Sequence, residues 1–199
     1  MTHPVTRRIV LASSSRYRQE QLARLHLPFV IEVPAIDESA LPTEAQRATA
    51  ERLAIAKARA VAQHQADAIV IGADQVAELD GRSIGKPGTH EAALQQLLAM
   101  RGRTVHFHSG IALVDSRDGR CLSASVATEV RFRDLPSEAL EAYLRIDLPY
   151  DCAGSAKIES LGICLVQAVH SEDPTALVGL PLITLTSMLD QLGVALPAR

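Results

Sequence analysis

Eight consecutive residues, Ile69-Val70-Ile71-Gly72-Ala73-Asp74-Gln75-Val76, constrain this chain most. The apolar, β-branched run reads as a buried strand. Asp and Gln are depleted in strands, so Asp74-Gln75 breaks the local rule inside a segment that belongs to the core. Two readings stand. Asp74 either satisfies a backbone donor in a turn between two strands, or it is a carboxylate set into the core edge for chemistry. What the rest of the chain carries decides between them.

On either side the chain alternates strand and helix. Arg8–Ala12 reads as a strand, Arg16–His26 as a helix and Phe29–Val33 as a second strand. Thr43-Glu44-Ala45-Gln46 has the form of a capping box opening a long helix to about His64. Asp80-Gly81 predicts a hairpin turn between Gln75–Leu79 and the segment from Arg82. Thr89 is placed to cap a helix running to Met100. Val105–Val114 and Leu122–Phe132 predict two long antiparallel strands joined around Asp118-Gly119. A helix over Pro136–Ile146, a strand over Gly162–Val169 and a closing helix over Leu182–Leu192 complete the pattern. Early β–α alternation with a hairpin core predicts an α/β protein with a mixed sheet. The 199 residues, 47% of them hydrophobic, suffice for one domain with a proper core, and no linker or repeat divides them.

Charge narrows the function classes. Twenty basic against 23 acidic residues, net −3, form no polybasic signature, and aromatic residues make up only 3%. Nucleic-acid and membrane binding are therefore not expected. No window is long and apolar enough to span a membrane, and Ile9–Ala12 after Arg7-Arg8 is too short for a signal peptide. Cys121, Cys152 and Cys164 are odd in number and form no CxxC pair, which predicts neither a disulfide framework nor a zinc site and points to a reducing cytoplasm. His106 and His108 alternate onto one strand face, but no third metal ligand accompanies them. The absence of GxGxxG and GxxxxGK[ST] at a strand–helix junction excludes the dinucleotide and P-loop readings.

The out-of-place polar groups are Ser13, Arg18, Glu38, Lys57, Asp74, Gln75 and Lys86. Ser13-Ser14-Ser15 between a strand and a helix start can cradle an anion, with Arg18 as a bidentate fork, or can simply cap the helix. Asp37-Glu38 lies in a loop, Lys57 beside an apolar helix stripe, and Lys86 between a freeing glycine and a fixing proline. In an open α/β sheet such strand and loop ends converge on one crevice. Carboxylates with cations in a crevice suit a metal-bound polyphosphate.

The chain resembles the Maf family of nucleoside triphosphate pyrophosphatases. The resemblance rests on Leu11-Ala12-Ser13-Ser14-Ser15 with Arg18, Asp37-Glu38, Leu53–Ala58, Ile71–Val76, Gly85-Lys86-Pro87 and Leu177–Leu182, in the family's order. It implies a Maf/ITPase-like, two-lobed mixed sheet flanked by helices around a central cleft. It implies a cytoplasmic house-cleaning enzyme, often a homodimer, that cleaves a nucleotide to its monophosphate and pyrophosphate with a divalent cation (Mg²⁺, Mn²⁺ or Co²⁺). Asp74 would accept the proton of the attacking water, Glu38 and Asp74 would hold the metal, and Ser13, Arg18, Lys57 and Lys86 would grip the triphosphate. Arg16 departs from the family, which usually has proline there. The alternatives are a broad or dTTP/UTP-selective pyrophosphatase and a non-catalytic, nucleotide-binding regulator of cell division.

The resemblance also implies a base. Members acting on dTTP and UTP carry Arg, Thr and Gln where this chain has Tyr17, Gln75 and Glu159. Members acting on 7-methyl-GTP carry an aromatic residue, Gln and Glu, which this chain matches with tyrosine in place of the commoner tryptophan. The chemistry agrees: methylated guanine is a cation, which stacks on an aromatic face, and Glu159 can accept from its N–H edge.

Overall fold

The computed structural model describes residues 7–197. Among them runs one seven-stranded mixed sheet, in the order β2-β1-β3-β5-β6-β7 with β4 paired to β3. The strands are β1 (Arg8–Ala12), β2 (Phe29–Ile31), β3 (Ala68–Leu79), β4 (Arg82–Ile84), β5 (Thr104–Asp115), β6 (Cys121–Phe132) and β7 (Val166–Ser171). The helices are α1 (Arg16–Ala23), α2 (Gln46–Ala62), α3 (His90–Met100), α4 (Ser137–Asp147) and α5 (Leu182–Gln191). β1 pairs parallel with β2 and β3, while β3, β5, β6 and β7 follow one another antiparallel. The mixed α/β architecture expected from the alternation is present.

β3 is the axis of the molecule. It is continuous over 12 residues, so the central stretch is no turn between two strands. β1 pairs with it as far as Gly72, and β4 takes over only at Ala77. Between these partners, Ala73–Val76 present an edge that neither covers, and the cleft opens at this gap. Side chains from both faces of β3 reach it there: Asp74 and Val76 from one, Gln75 from the other.

α2 lies close on one face of the sheet. A Cβ on Gly72 would stand 2.1 Å from the Ala54 carbonyl oxygen, and one on Gly110 would stand 2.1 Å from that of Ala50. Both glycines are required for the helix to seat, and Ala54, Ala58, Val61, Val70 and Ala112 close the packing. Leu11, Leu22, Ile71, Leu113, Leu185 and Leu189 fill the opposite face. A third cluster, around Leu97, Met100, Phe107, Leu140 and Leu144, joins α3 and α4 to the far ends of β3, β5 and β6.

Three local expectations are corrected. Thr43 takes a left-handed backbone and donates its hydroxyl to the Pro42 carbonyl, Ala45 is the residue at the α2 N-terminus, and the Gln46 amide donates to the Gly81 carbonyl, so no capping box forms; the Glu44 carboxylate accepts from the Thr49 hydroxyl and pairs with Arg52. Gly162–Leu165, expected as the first part of a strand, lies in the 3₁₀ helix Leu161–Leu165, and β7 begins at Val166. The second strand ends at Ile31. The Asp80-Gly81 hairpin and the Thr89 cap form as expected, the latter accepting from the Ala92 N–H. No helix among the described residues is long and apolar enough to cross a membrane.

Candidate active site

A cleft of about 590 Å³ brings together Ser13, Tyr17, Arg18, Glu38, Lys57, Asp74, Gln75, Lys86 and Glu159, every site residue expected from the sequence. At its floor the Lys57 Nζ donates to Asp74 Oδ1 at 2.7 Å and to Glu38 Oε2 at 2.9 Å. The ammonium does not snorkel to solvent: Lys57 and Asp74 are both buried, whereas Glu38 reaches in from an exposed loop. In a buried pair of this kind each charge offsets part of the other's desolvation cost, and removing one partner leaves the other buried and uncompensated. α2 supplies the lysine and the β3 gap supplies the aspartate, so the Gly72 contact sets their separation.

Beside them, the buried Ser13 hydroxyl accepts from the Ser15 N–H at 3.1 Å. Ser15 caps α1, and Arg16, an exposed residue paired with Glu20, occupies the first helical position, where proline is also tolerated. With arginine in this place Ser15 still caps the helix and Ser13 still accepts from Ser15. Arg18 donates from Nε to the Gly179 carbonyl at 2.9 Å and stands 3.4 Å from the Ser13 hydroxyl. Burial lowers its pKa, and the Asp74 and Glu38 charges oppose that shift. Gly179, at φ +99°, makes the turn that offers this carbonyl. Lys86 is exposed on the opposite rim and forms no ion pair among the described residues.

The far end of the cleft is built from the 150–159 loop. The Tyr17 hydroxyl lies 3.5 Å from both Asp151 carboxylate oxygens, and the Lys157 ammonium sits 6.0 Å from the Tyr17 ring centroid. Burial raises the Tyr17 pKa, and it raises that of the neighbouring Cys152 thiol to about 11. Glu159 is on the solvent-facing rim, yet surrounding protein desolvates its carboxyl enough to raise its pKa. The Gln75 amide nitrogen points away from this end: it donates to Ser109 Oγ and to the carbonyls of Ala176 and Leu177, all within 3.1 Å. Gln75 therefore ties β3 to the 176–178 turn, and its amide oxygen is the atom left for a ligand.

Sequence reasoning missed Ser109, the 176–179 carbonyls and Asp151. Backbone acceptors carry no residue-type signal, and only the glycine at 179 hinted at a turn. His106 and His108 share a face, but His108 pairs with Glu78 at 2.8 Å, and no group of three metal-ligating side chains exists among the described residues.

Residues 8–192 match the family model described as Maf-like protein. The chain belongs to the Maf family. Its Maf relatives include the 7-methyl-GTP pyrophosphatase of Paraburkholderia xenovorans, 60% identical over 95% of this chain and 94% of that protein. The protein of the same name from Burkholderia pseudomallei is 59% identical over 95% and 89%. That of Cupriavidus pinatubonensis is 55% identical over 97% of both. The solved structure of the Staphylococcus aureus Ham1 protein overlaps with a TM-score of 0.47, at 19% identity over 64% of this chain and 72% of that one. For this Maf chain, the six separated motifs of the sequence thus meet in one cleft.

Proposed function

We propose that this Maf protein is a pyrophosphatase that hydrolyses 7-methyl-GTP to 7-methyl-GMP and diphosphate. One observation carries the reading: Glu38, Lys57 and Asp74 converge in a cleft that is also lined by the Tyr17 ring beside Asp151 and by Glu159. The first is phosphate chemistry, and the second suits a cationic purine. Relatives at 55–60% identity carry that name. The reading treats the chain as one domain whose two lobes wall the cleft, working in the cytoplasm as a homodimer that clears modified nucleotides.

Water attacks the α-phosphorus in line; a new P–O bond forms there while the bridging bond to the β-phosphate breaks and diphosphate leaves. Asp74 accepts the water's proton, its carboxylate oriented by the Lys57 hydrogen bond. Lys57, Arg18 and Lys86 place positive charge along the triphosphate, and Ser13 adds a hydroxyl. Glu38 and Asp74 are hard oxygen donors that meet at the Lys57 ammonium, and no third His, Cys, Asp or Glu side chain completes a group with them among the described residues. That donor set fits Mg²⁺, Mn²⁺ or Co²⁺ completed by water and phosphate oxygens, not a protein cage. When bound, such a cation lowers the pKa of the water and offsets phosphate charge. Tyr17 stacks on the base, and Glu159 accepts from its N–H edge.

Pyrophosphate release from 7-methyl-GTP, GTP, dTTP and UTP, with and without Mg²⁺, tests the reading. Selective, cation-dependent cleavage of 7-methyl-GTP is expected. Comparable rates on dTTP would overturn the base assignment, and no release from any nucleotide would overturn the activity.

A further inference from the structure

α3 carries a side chain that touches both rims of the cleft from behind. Gln96 Nε2 donates to the Gly85 carbonyl at 3.1 Å, and Gln96 Oε1 accepts from the Ser155 hydroxyl at 2.6 Å. Gly85 immediately precedes Lys86. Ser155 belongs to the loop that carries Asp151 and Glu159. An amide carries its donor and its acceptor on separate atoms, so this side chain donates to one rim and accepts from the other at the same time. Gln96 does not line the cleft.

The Ser155 end is backbone under tension. Ser155 is fully buried and takes φ +53°, a left-handed conformation unfavourable for a residue with a Cβ, directly after Gly154 at φ +74°. A Cβ on Gly154 would meet the Phe107 ring at 3.2 Å. Such conformations persist only where surroundings over-determine them. Here the Gln96 amide oxygen is the acceptor that holds the serine hydroxyl. A second link runs in parallel: the Gly88 N–H donates to the Tyr150 carbonyl at 3.0 Å, and the Tyr150 hydroxyl lies 2.8 Å from His90 Nδ1, again on α3. The segment holding Lys86 is thereby pinned to the 150–155 loop at both of its ends.

We propose that Gln96 is a positioning residue that sets the distance between the Lys86 rim and the base-reading loop, so that the triphosphate and the base are gripped in register. The inference rests on the roles given above to Lys86 and to the 151–159 loop. Its two arms are separable. Gln96→Glu keeps the acceptor for Ser155 and loses the donor to Gly85. Ser155→Ala keeps the Gly85 arm and loses the other.

The test is steady-state kinetics of both variants on 7-methyl-GTP and GTP, with thermal unfolding alongside. Gln96→Glu raises KM about five-fold for both nucleotides and leaves their kcat/KM ratio unchanged. Ser155→Ala lowers the ratio by about five-fold with a smaller change in the KM of GTP. Unchanged KM and ratio in either variant overturns the proposal. So does a parallel loss of kcat on both substrates that merely follows a lowered Tm, the signature of a structural role. Ser155→Ala removes one hydroxyl, and it carries the test should Gln96→Glu fail to fold. If the unmodified protein cleaves GTP and 7-methyl-GTP equally, the base reading fails; the strut is then judged by the KM of Gln96→Glu alone.

Discussion

Lys57 Nζ lies 2.7 Å from Asp74 Oδ1, inside the protein, with Glu38 2.9 Å away on its other side. One ammonium thus bridges a buried carboxylate on β3 and an exposed one on the 37–39 loop.

Asp74→Asn keeps the shape of this centre and removes the proton acceptor. Turnover falls by about 10²–10⁴-fold, while nucleotide affinity by calorimetry changes little. Activity within ten-fold of the unmodified enzyme would remove Asp74 from the chemistry.

Lys57→Met removes the cation that the two carboxylates share. The vacated negative charge should draw a divalent ion more strongly, by about ten-fold or more in Mn²⁺ affinity, even as turnover drops. Mn²⁺ should also raise the Tm of this variant more than that of the parent, because it now relieves an unpaired buried charge. Equal Mn²⁺ affinity in both proteins would mean that Lys57 does not compete for the site.

Gly72→Ala places a methyl group 2.1 Å from the Ala54 carbonyl oxygen and 2.7 Å from the Ala58 nitrogen. Helix α2 must lift, carrying Lys57 from Asp74. Destabilisation of about 1–3 kcal/mol in denaturant melts and a larger loss of activity than of folded protein are expected.

Tyr17→Ala should erase the preference for 7-methyl-GTP over GTP, and Tyr17→Trp should sharpen it, since indole is the stronger partner for a cation. The ratio of kcat/KM values for the two substrates is the measurement. An unchanged ratio in the alanine variant would return Tyr17 to a packing role.

The Glu44–Arg52 pair braces the loop that delivers Glu38, with Arg52 also donating to the Ser39 carbonyl. Arg52 holds the Glu44 carboxyl down from 4.5 to about 2. A lowered folded pKa stabilises the folded form above the unfolded value, and that contribution is lost as pH falls from 4.5 toward 2. Urea melts should show Glu44→Gln less stable than the parent at neutral pH, with the gap closing across that acid window. A gap that persists at pH 2 would show that the pair is not the cause.

Hydrophobic periodicity and turn residues placed most strands and helices of this chain, because those signals are local. Asp80-Gly81 makes a hairpin wherever two strands flank it. The order of six short motifs was enough to name the family, and each charged residue in them was already suspect for its setting. The capping box misled for the opposite reason: its pattern was right, but Gln46, the residue that would reach back to the Thr43 N–H, donates instead to the Gly81 carbonyl, 35 residues on. That Lys57 is buried, that β1 and β4 leave a gap at Ala73–Val76, and that Gln96 reaches two loops at once are facts of three-dimensional proximity. Residues far apart in the chain meet at distances set by how closely α2 and α3 can approach the sheet, and no local pattern encodes that approach.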